Sequence, residues 1–224
     1  MAVLYENFLF TTSLHDVLVK QLGEAGFKIV LDERYPLAGK DFTGLLTKAK
    51  LVNPDAIIVY NVMPASIYAT RQLHEVGLTP KFYFVNIGPT YTKDFIDALG
   101  KGSEGVVEFG FFHPDLPFPG TKEFTARFRA RFGALPAADA FPSYTAGQIL
   151  TQAVERAGTL DPEKINEVLH REEFLSVGGK YKYDERGVNI YPKPFLTQVQ
   201  DGKLLIVWPR ELTPHTLRFP VFGK

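Results

Sequence analysis

Strand-like and helix-like segments alternate through the first sixty residues, and this order limits the fold more than any other feature. Short apolar runs at residues 2–5, 28–31 and Ala56–Tyr60 are typical of buried strands. Between them, residues 12–25 and 41–51 carry apolar side chains at helical spacing. This order predicts an α/β fold with a doubly wound parallel sheet, because parallel neighbours need helical crossovers that cover both faces.

The same alternation continues further and then changes. After a helix that begins near Pro64, the pattern predicts a strand at 81–85, the helix Thr92–Leu99 and a strand at 105–112. Residues 113–120 hold three prolines and predict an extended crossover. Three helices follow, at Thr121–Phe132, at 142–157 and from Pro162. A hairpin then joins Leu196–Gln200 to residues 203–207 through Asp201-Gly202, a strong turn signal.

Composition removes several classes of function. The 25 Lys and Arg residues balance 25 Asp and Glu residues, so the long-range attraction that a nucleic-acid binder uses is missing. Cysteine is absent, which excludes disulfides, thiolate metal sites and cysteine nucleophiles. No apolar run approaches the length of a membrane span, and the N-terminus lacks the features of a secretory signal.

Motifs for catalysis or cofactor binding are weak. Residues 100–105 spell G-x-G-x-x-G, but a helix precedes them and a strand follows, the reverse of a dinucleotide fingerprint. They are better interpreted as a helix cap and turn. The five histidines are scattered without ligand spacing, and no nucleophile motif is present. We expect no enzyme activity, metal or cofactor. An enzyme built on a doubly wound sheet stays open as an alternative function.

A set of short motifs, in order along nearly the whole chain, resembles the type I periplasmic binding proteins, in particular the branched-chain amino acid and amide receptors of ABC transporters. In the first half of the chain the markers are the strand and helix start at residues 3–11, the helix start formed by Tyr35-Pro36 and residues 40–46, the strand entry at residues 53–57, and the helix end formed by Arg71-Gln72 and residues 76–78. In the second half they are a helix with residues 146–150, Ala153 and Ala157-Gly158, the next helix start at residues 162–165, and a closing motif of residues 179–181, residues 183–185 and Gly187.

The resemblance implies a two-lobed α/β protein. Residues 1–112 and 176–224 resemble the second lobe, and 113–175 resemble the returning helices of the first lobe. The segments that open the first lobe have no counterpart, so we expect a truncated receptor or an excised fragment, with an incomplete helical part of the other lobe. Hinge candidates are residues 113–120 and 175–179.

Ligand contacts are expected in the loops after the strands, because parallel sheets bind ligands at their carboxyl ends. Phe10 is the counterpart of a ligand-contacting aromatic in the family, and Phe8 lies beside it. The alternative is an aromatic packed on its own lobe. Asn61 and Met63 follow the third strand at a second contact position. Asn86 follows the fourth strand, where amino acid receptors carry a carboxylate for the ligand's ammonium; it either contacts ligand or caps a turn.

By resemblance, the chain is a solute-binding subunit, or a fragment of one, for an ABC importer of branched-chain or hydrophobic amino acids, amides or small apolar carboxylates. It would work by hinge closure, with a membrane permease as partner, in the periplasm or another extracytoplasmic space. The alternative is a ligand-sensing domain of a cytoplasmic regulator or receptor with the same fold.

The middle helices have apolar faces without strands of their own to cover. We therefore expect exposure of Phe128, Phe132, Ile149 and Val154. Large exposed apolar patches usually form interfaces, so we also expect a homodimer or aggregation.

Overall fold

The computed structural model describes residues 1–110, 112–137, 139–191 and 194–222. The strands are β1 (Ala2–Glu6), β2 (Leu31–Tyr35), β3 (Ala56–Tyr60), β4 (Phe82–Val85), β5 (Val107–Phe109), β6 (Phe174–Ser176), β7 (Gly179–Tyr181), β8 (Leu196–Gln200) and β9 (Lys203–Trp208). The helices are α1 (Leu9–Glu24), α2 (Thr43–Val52), α3 (Ala65–Glu75), α4 (Thr92–Leu99), α5 (Thr121–Phe132), α6 (Ala140–Ala157) and α7 (Pro162–Arg171).

The chain divides into two compact units, Met1–Gly110 with Phe195–Lys224, and Phe111–Pro194. Unit 1 contains a seven-stranded sheet in the order β2-β1-β3-β4-β5-β8-β9. Strands β1 to β5 are parallel, whereas β8 and β9 run antiparallel to their neighbours. The predicted α/β fold with a mostly parallel, doubly wound sheet is therefore confirmed.

The core of unit 1 forms where alternate strand residues meet the helices. Strands β1, β3 and β4 bury Leu4, Val59 and Tyr83, and these join one cluster with Leu46 of α2 and Leu73 of α3. Burial on this scale provides most of the stability of such a unit, because each large apolar side chain contributes roughly 1.5–3 kcal/mol. The Tyr83 hydroxyl shares a hydrogen bond with Thr70 Oγ1 at 3.1 Å, which satisfies the polar group inside this core.

Strand β2 lies three residues later than the predicted run at 28–31. It is an edge strand that pairs only with β1, and Leu31 is in register with Ala2. Its middle residues, Asp32, Glu33 and Arg34, are charged. Charged side chains are usual on an edge strand, where they oppose pairing with other chains, and they hide the strand from a search for apolar runs.

Helix α1 buries a polar residue where the sequence predicts only an apolar face. Val17 is one of the apolar residues whose helical spacing predicts the buried face, yet it is exposed, whereas His15 is buried. The His15 ring stacks on Tyr5 with centroids 3.8 Å apart, and its Nδ1 and Nε2 lie 3.0 and 2.9 Å from carboxylate oxygens of Asp16 and Asp32. These partners compensate the burial of the imidazole.

Unit 2 holds helices α5, α6 and α7 and the two-stranded sheet β6-β7. Asp161 caps the start of α7, and its side chain accepts a hydrogen bond from Glu163 N at 2.9 Å. Phe174 of β6 packs in one small cluster with Ile149 and Val168. Ile149 is therefore buried, against the prediction, whereas Phe132 is 59% exposed as predicted.

The observed division differs from the predicted lobes mainly at the second boundary. Residues 176–194 belong to unit 2, because the β6-β7 hairpin pairs and packs with the helices of that unit. The predicted hinge at 175–179 is the turn of this hairpin, and the chain passes between the units at 110–111 and 194–195. The assignment of these units to the lobes of a receptor stays a prediction.

Candidate functional site

The loops that follow β1, β3, β4 and β5 share one edge of the sheet in unit 1. These strands are consecutive in the sheet and parallel, so their carboxyl ends meet there. We call this the carboxyl edge. All five predicted ligand contacts belong to it: Phe8, Phe10, Asn61, Met63 and Asn86. Sheets of this kind bind ligands at this edge.

Phe8 and Phe10 lie where β1 passes into α1. Phe8 is the residue before the helix, and Phe10 is in its first turn. The two residues are 43% and 41% exposed. The turn is held by Thr11, whose hydroxyl donates to the carbonyl oxygens of Glu6 and Phe8 at 2.6 and 2.9 Å. The two aromatics are thus fixed at their backbone and present apolar surface outward.

Glu6 ends β1 and organises the loops on both sides of it. Its carboxylate accepts from Ala38 N at 2.7 Å and from Val62 N at 3.1 Å, and its side chain is fully buried. Ala38 follows β2 and Val62 follows β3. One carboxylate therefore ties together the loops after two different strands, a role that sequence analysis missed because both partners are distant in sequence.

Asn61 and Met63 occupy the loop after β3. Asn61 is fully buried, and its Nδ2 donates to the carbonyl oxygens of Ile87 and Val62 at 3.0 and 3.3 Å. Its Oδ1 has no hydrogen-bond partner among the described residues. Met63 is half-buried against the core, and its sulfur accepts from Ser66 Oγ at 3.0 Å. Met63 thus adds a polarizable apolar surface beside a buried amide.

Asn86 follows β4 and is only 5% exposed. Its backbone N donates to Val59 O at 3.0 Å, which anchors it to β3. Its Nδ2 makes no hydrogen bond within the part of the chain that the structure describes. Both alternatives for this side chain, a ligand contact and a turn cap, stay predictions.

Glu108 of β5 is a second buried carboxylate at this edge. It accepts from Gly88 N at 2.8 Å, and from Thr90 N and Thr90 Oγ1, both at 2.6 Å. Burial raises the pKa of Glu108 to about 7, although these three hydrogen bonds act in the opposite direction. Glu108 fixes the loop after β4, next to Asn86. An isolated Glu in a short apolar strand is the only sequence signal for it.

The other sequence motifs have structural explanations. Residues Gly100–Ser103 form a 3₁₀ turn between α4 and β5, which confirms the prediction that the glycine motif is a helix cap and turn. Among the described residues, no cluster of three His, Asp or Glu side chains could hold a metal. Within those residues, no helix combines the length and apolar character of a membrane span.

Sequence comparison gives relatives of one kind. A family profile described as periplasmic binding protein matches residues 1–203. Leu/Ile/Val-binding protein homolog 7 of Brucella suis is 25% identical over 230 aligned positions, covering 98% of this chain and 57% of the relative. Leu/Ile/Val-binding protein homolog 1 of the same organism is 29% identical, covering 84% of this chain and 50% of the relative. The chain thus spans about half the length of these relatives.

Solved structures give the same fold. The leucine binding protein LivK from Thermotoga maritima superposes with a TM-score of 0.76 at 24% identity, covering 92% of this chain and 59% of that one. A solute binding protein of an ABC transporter from R. palustris, solved with benzoate, superposes with a TM-score of 0.79 at 16% identity, covering 92% and 56%. The profile match, which spans most of the chain, agrees with the fold and with the resemblance of the motifs. The chain belongs to the type I periplasmic binding protein family.

Proposed function

We propose that this chain is a solute-binding subunit, or part of one, of an ABC importer. Its ligand would be a branched-chain or hydrophobic amino acid, an amide or a small apolar carboxylate. The observation that carries the proposal is the carboxyl edge of unit 1, which combines the exposed Phe8 and Phe10 with the buried amides Asn61 and Asn86. A largely apolar surface with a few placed polar groups is typical of small-molecule sites.

Both carboxylates at this edge serve to position the loops. Glu6 and Glu108 accept five hydrogen bonds from the loops after β2, β3 and β4. Loops held in this way keep their ligand-contacting side chains in place before binding, which lowers the entropic cost of association. This arrangement favours a binding protein over an enzyme, because the polar groups position the backbone and leave no free acid-base pair among these residues.

The family supports the remaining parts of the proposal. The relatives from Brucella are named for binding leucine, isoleucine and valine. We extend this to an extracytoplasmic receptor that delivers its ligand to a membrane permease and captures it by hinge closure. The alternative of a ligand-sensing regulator would use the same edge and differs in location and partner.

The proposal can be tested by NMR on the isotope-labelled chain. We expect leucine, isovaleramide or isocaproate, at millimolar concentration, to shift backbone signals of residues 6–11, 60–63 and 86–90. Phe10→Ala should weaken this binding because it removes an apolar wall. Phe27→Ala is the matched control: Phe27 is 55% exposed but lies among residues at the amino ends of the strands.

Two outcomes would contradict the proposal. The first is that none of the three compounds shifts the signals of residues 6–11, 60–63 and 86–90. The second is that the shifts are confined to residues around Phe27. In either case the carboxyl edge is not a ligand site.

A further inference from the structure

Unit 2 carries a groove between α5 and α6 that the proposed function does not use. The groove holds a cavity of about 480 Å³, a volume within the range of small-molecule sites. Four of the side chains that line it are aromatic: Phe124, Phe128, Phe132 and Tyr144. The carboxyl edge belongs to unit 1, so the groove and the proposed ligand contacts lie in different units.

The aromatic side chains of α5 form a continuous apolar row along the groove. Phe124, Phe128 and Phe132 follow one another at intervals of four residues, and neighbouring ring centroids are 5.9 and 4.5 Å apart. Tyr144 of α6 packs on Phe124, with centroids 4.6 Å apart. Exposure rises from 7% at Phe124 to 59% at Phe132. Eight residues of helix span about 12 Å, so the row offers an apolar strip of that length, closed at one end and open at the other.

Two arginines of α5 line the same groove. Arg127 and Arg131 are four residues apart, so they share one side of the helix, and both are exposed. The Arg131 guanidinium lies over the ring of Phe132, 5.4 Å from its centroid, which holds the charge beside the aromatic row. Within the described ranges neither arginine pairs with a carboxylate, and none of the described residues that line the groove is acidic.

This combination of charge and apolar surface limits what can occupy the groove. A purely apolar occupant would cover the guanidinium groups without replacing their water, which is costly. A cation would be repelled by both arginines. An occupant with an apolar body and an anionic head buries the aromatic row and also supplies the missing counter-ion. A carboxylate head suits this role, because guanidinium binds it through two parallel hydrogen bonds.

We propose that the groove between α5 and α6 binds a free amphiphilic carboxylate of the class of a medium-chain fatty acid. The apolar chain covers the aromatic row of α5, and the carboxylate pairs with Arg127 and Arg131. The site is built from unit 2 alone. The inference therefore stands whether or not the carboxyl edge of unit 1 binds a ligand.

The test compares decanoate with decylammonium, which share the apolar chain and carry opposite charges. In NMR titrations of the isotope-labelled full chain, decanoate should shift backbone signals of residues 124–132 and 140–144. Its dissociation constant should be about tenfold lower than that of decylammonium, as two ion pairs of modest strength would give. The double substitution Arg127→Gln and Arg131→Gln should remove this advantage. Arg129→Gln is the matched control, because Arg129 is exposed on the same helix but does not line the groove.

Four outcomes would overturn the inference. The first is that decylammonium binds as tightly as decanoate, or more tightly. The second is that the double variant keeps the full preference for decanoate, or that Arg129→Gln loses it. The third is that decanoate shifts only signals outside residues 124–132 and 140–144. The fourth is that these signals shift with protein concentration and not with decanoate, because a second copy of the chain would then occupy the groove.

Discussion

Glu108 should make the stability of unit 1 depend on pH. The side chain is fully buried, and its carboxylate accepts three hydrogen bonds from Gly88 and Thr90. Burial nevertheless raises the pKa of Glu108 from 4.5 to about 7. The folded state thus keeps the carboxyl proton at a pH where the unfolded chain has already released it.

The sign and size of the effect follow from this difference in bound protons. Between about pH 4.5 and about pH 7 the folded state binds more protons than the unfolded state, so the free energy of unfolding falls as the pH rises. Each unit of pKa difference corresponds to about 1.4 kcal/mol, so the loss across the window is about 3 kcal/mol. Below about pH 4.5 the protonated Glu108 gives its full stabilisation, and above about pH 7 the free energy of unfolding no longer changes with the ionisation of this group.

The measurement is urea unfolding followed by tryptophan fluorescence at a series of pH values. Trp208 is the single tryptophan of the chain and lies in β9 of unit 1, so its signal reports the unit that holds Glu108. Glu108→Gln should abolish most of the pH dependence, because the amide does not titrate. Glu75→Gln, at an exposed position of α3, is the matched control and should keep the wild-type slope.

A free energy of unfolding that is constant or rises from about pH 5 to about pH 8 would refute this reasoning. The same holds if Glu108→Gln retains the wild-type slope. Either result would mean that the hydrogen bonds from Gly88 and Thr90 outweigh burial and hold the carboxylate ionised.

Three further predictions concern packing, binding and assembly. Gly110→Ala should destabilise unit 1 by several kcal/mol in urea unfolding, because a Cβ at this position would overlap the ring of Phe195. The control Gly147→Ala places its Cβ in open space and should be neutral or stabilising by up to about 1 kcal/mol. Equal effects of the two substitutions would contradict this prediction. Calorimetric titration of the chain with leucine should show no affinity in the micromolar range, because one lobe buries less ligand surface than a closed cleft. Micromolar binding of leucine would disprove this prediction. Light scattering should detect self-association that Phe132→Ser reduces, since this ring is 59% exposed; a monodisperse wild-type monomer would count against it.

Much of the fold could be predicted because local patterns carry it. Strand β3 has the predicted bounds, as do α4 and α5, since each has a clear apolar period and a marked end. The Asp201-Gly202 turn forms as predicted, and both residues have positive φ, at 54° and 71°, as a tight hairpin of this type requires. The positions of Phe8, Phe10, Asn61, Met63 and Asn86 after parallel strands follow from the same order.

The sequence by itself determined the order of the elements and which loops share an edge of the sheet, because periodicity and turn residues act over short distances. Tertiary structure alone decided that β2 is an edge strand, that β6 and β7 join the helices of unit 2, and that His15 is buried. It also decided that the carboxylates of Glu6 and Glu108 accept hydrogen bonds from loop backbone N–H groups. Within the described residues, it left Asn61 Oδ1 and Asn86 Nδ2 buried without a hydrogen-bond partner. Hydrogen bonds between residues far apart in sequence depend on three-dimensional distance, and no local pattern records that distance.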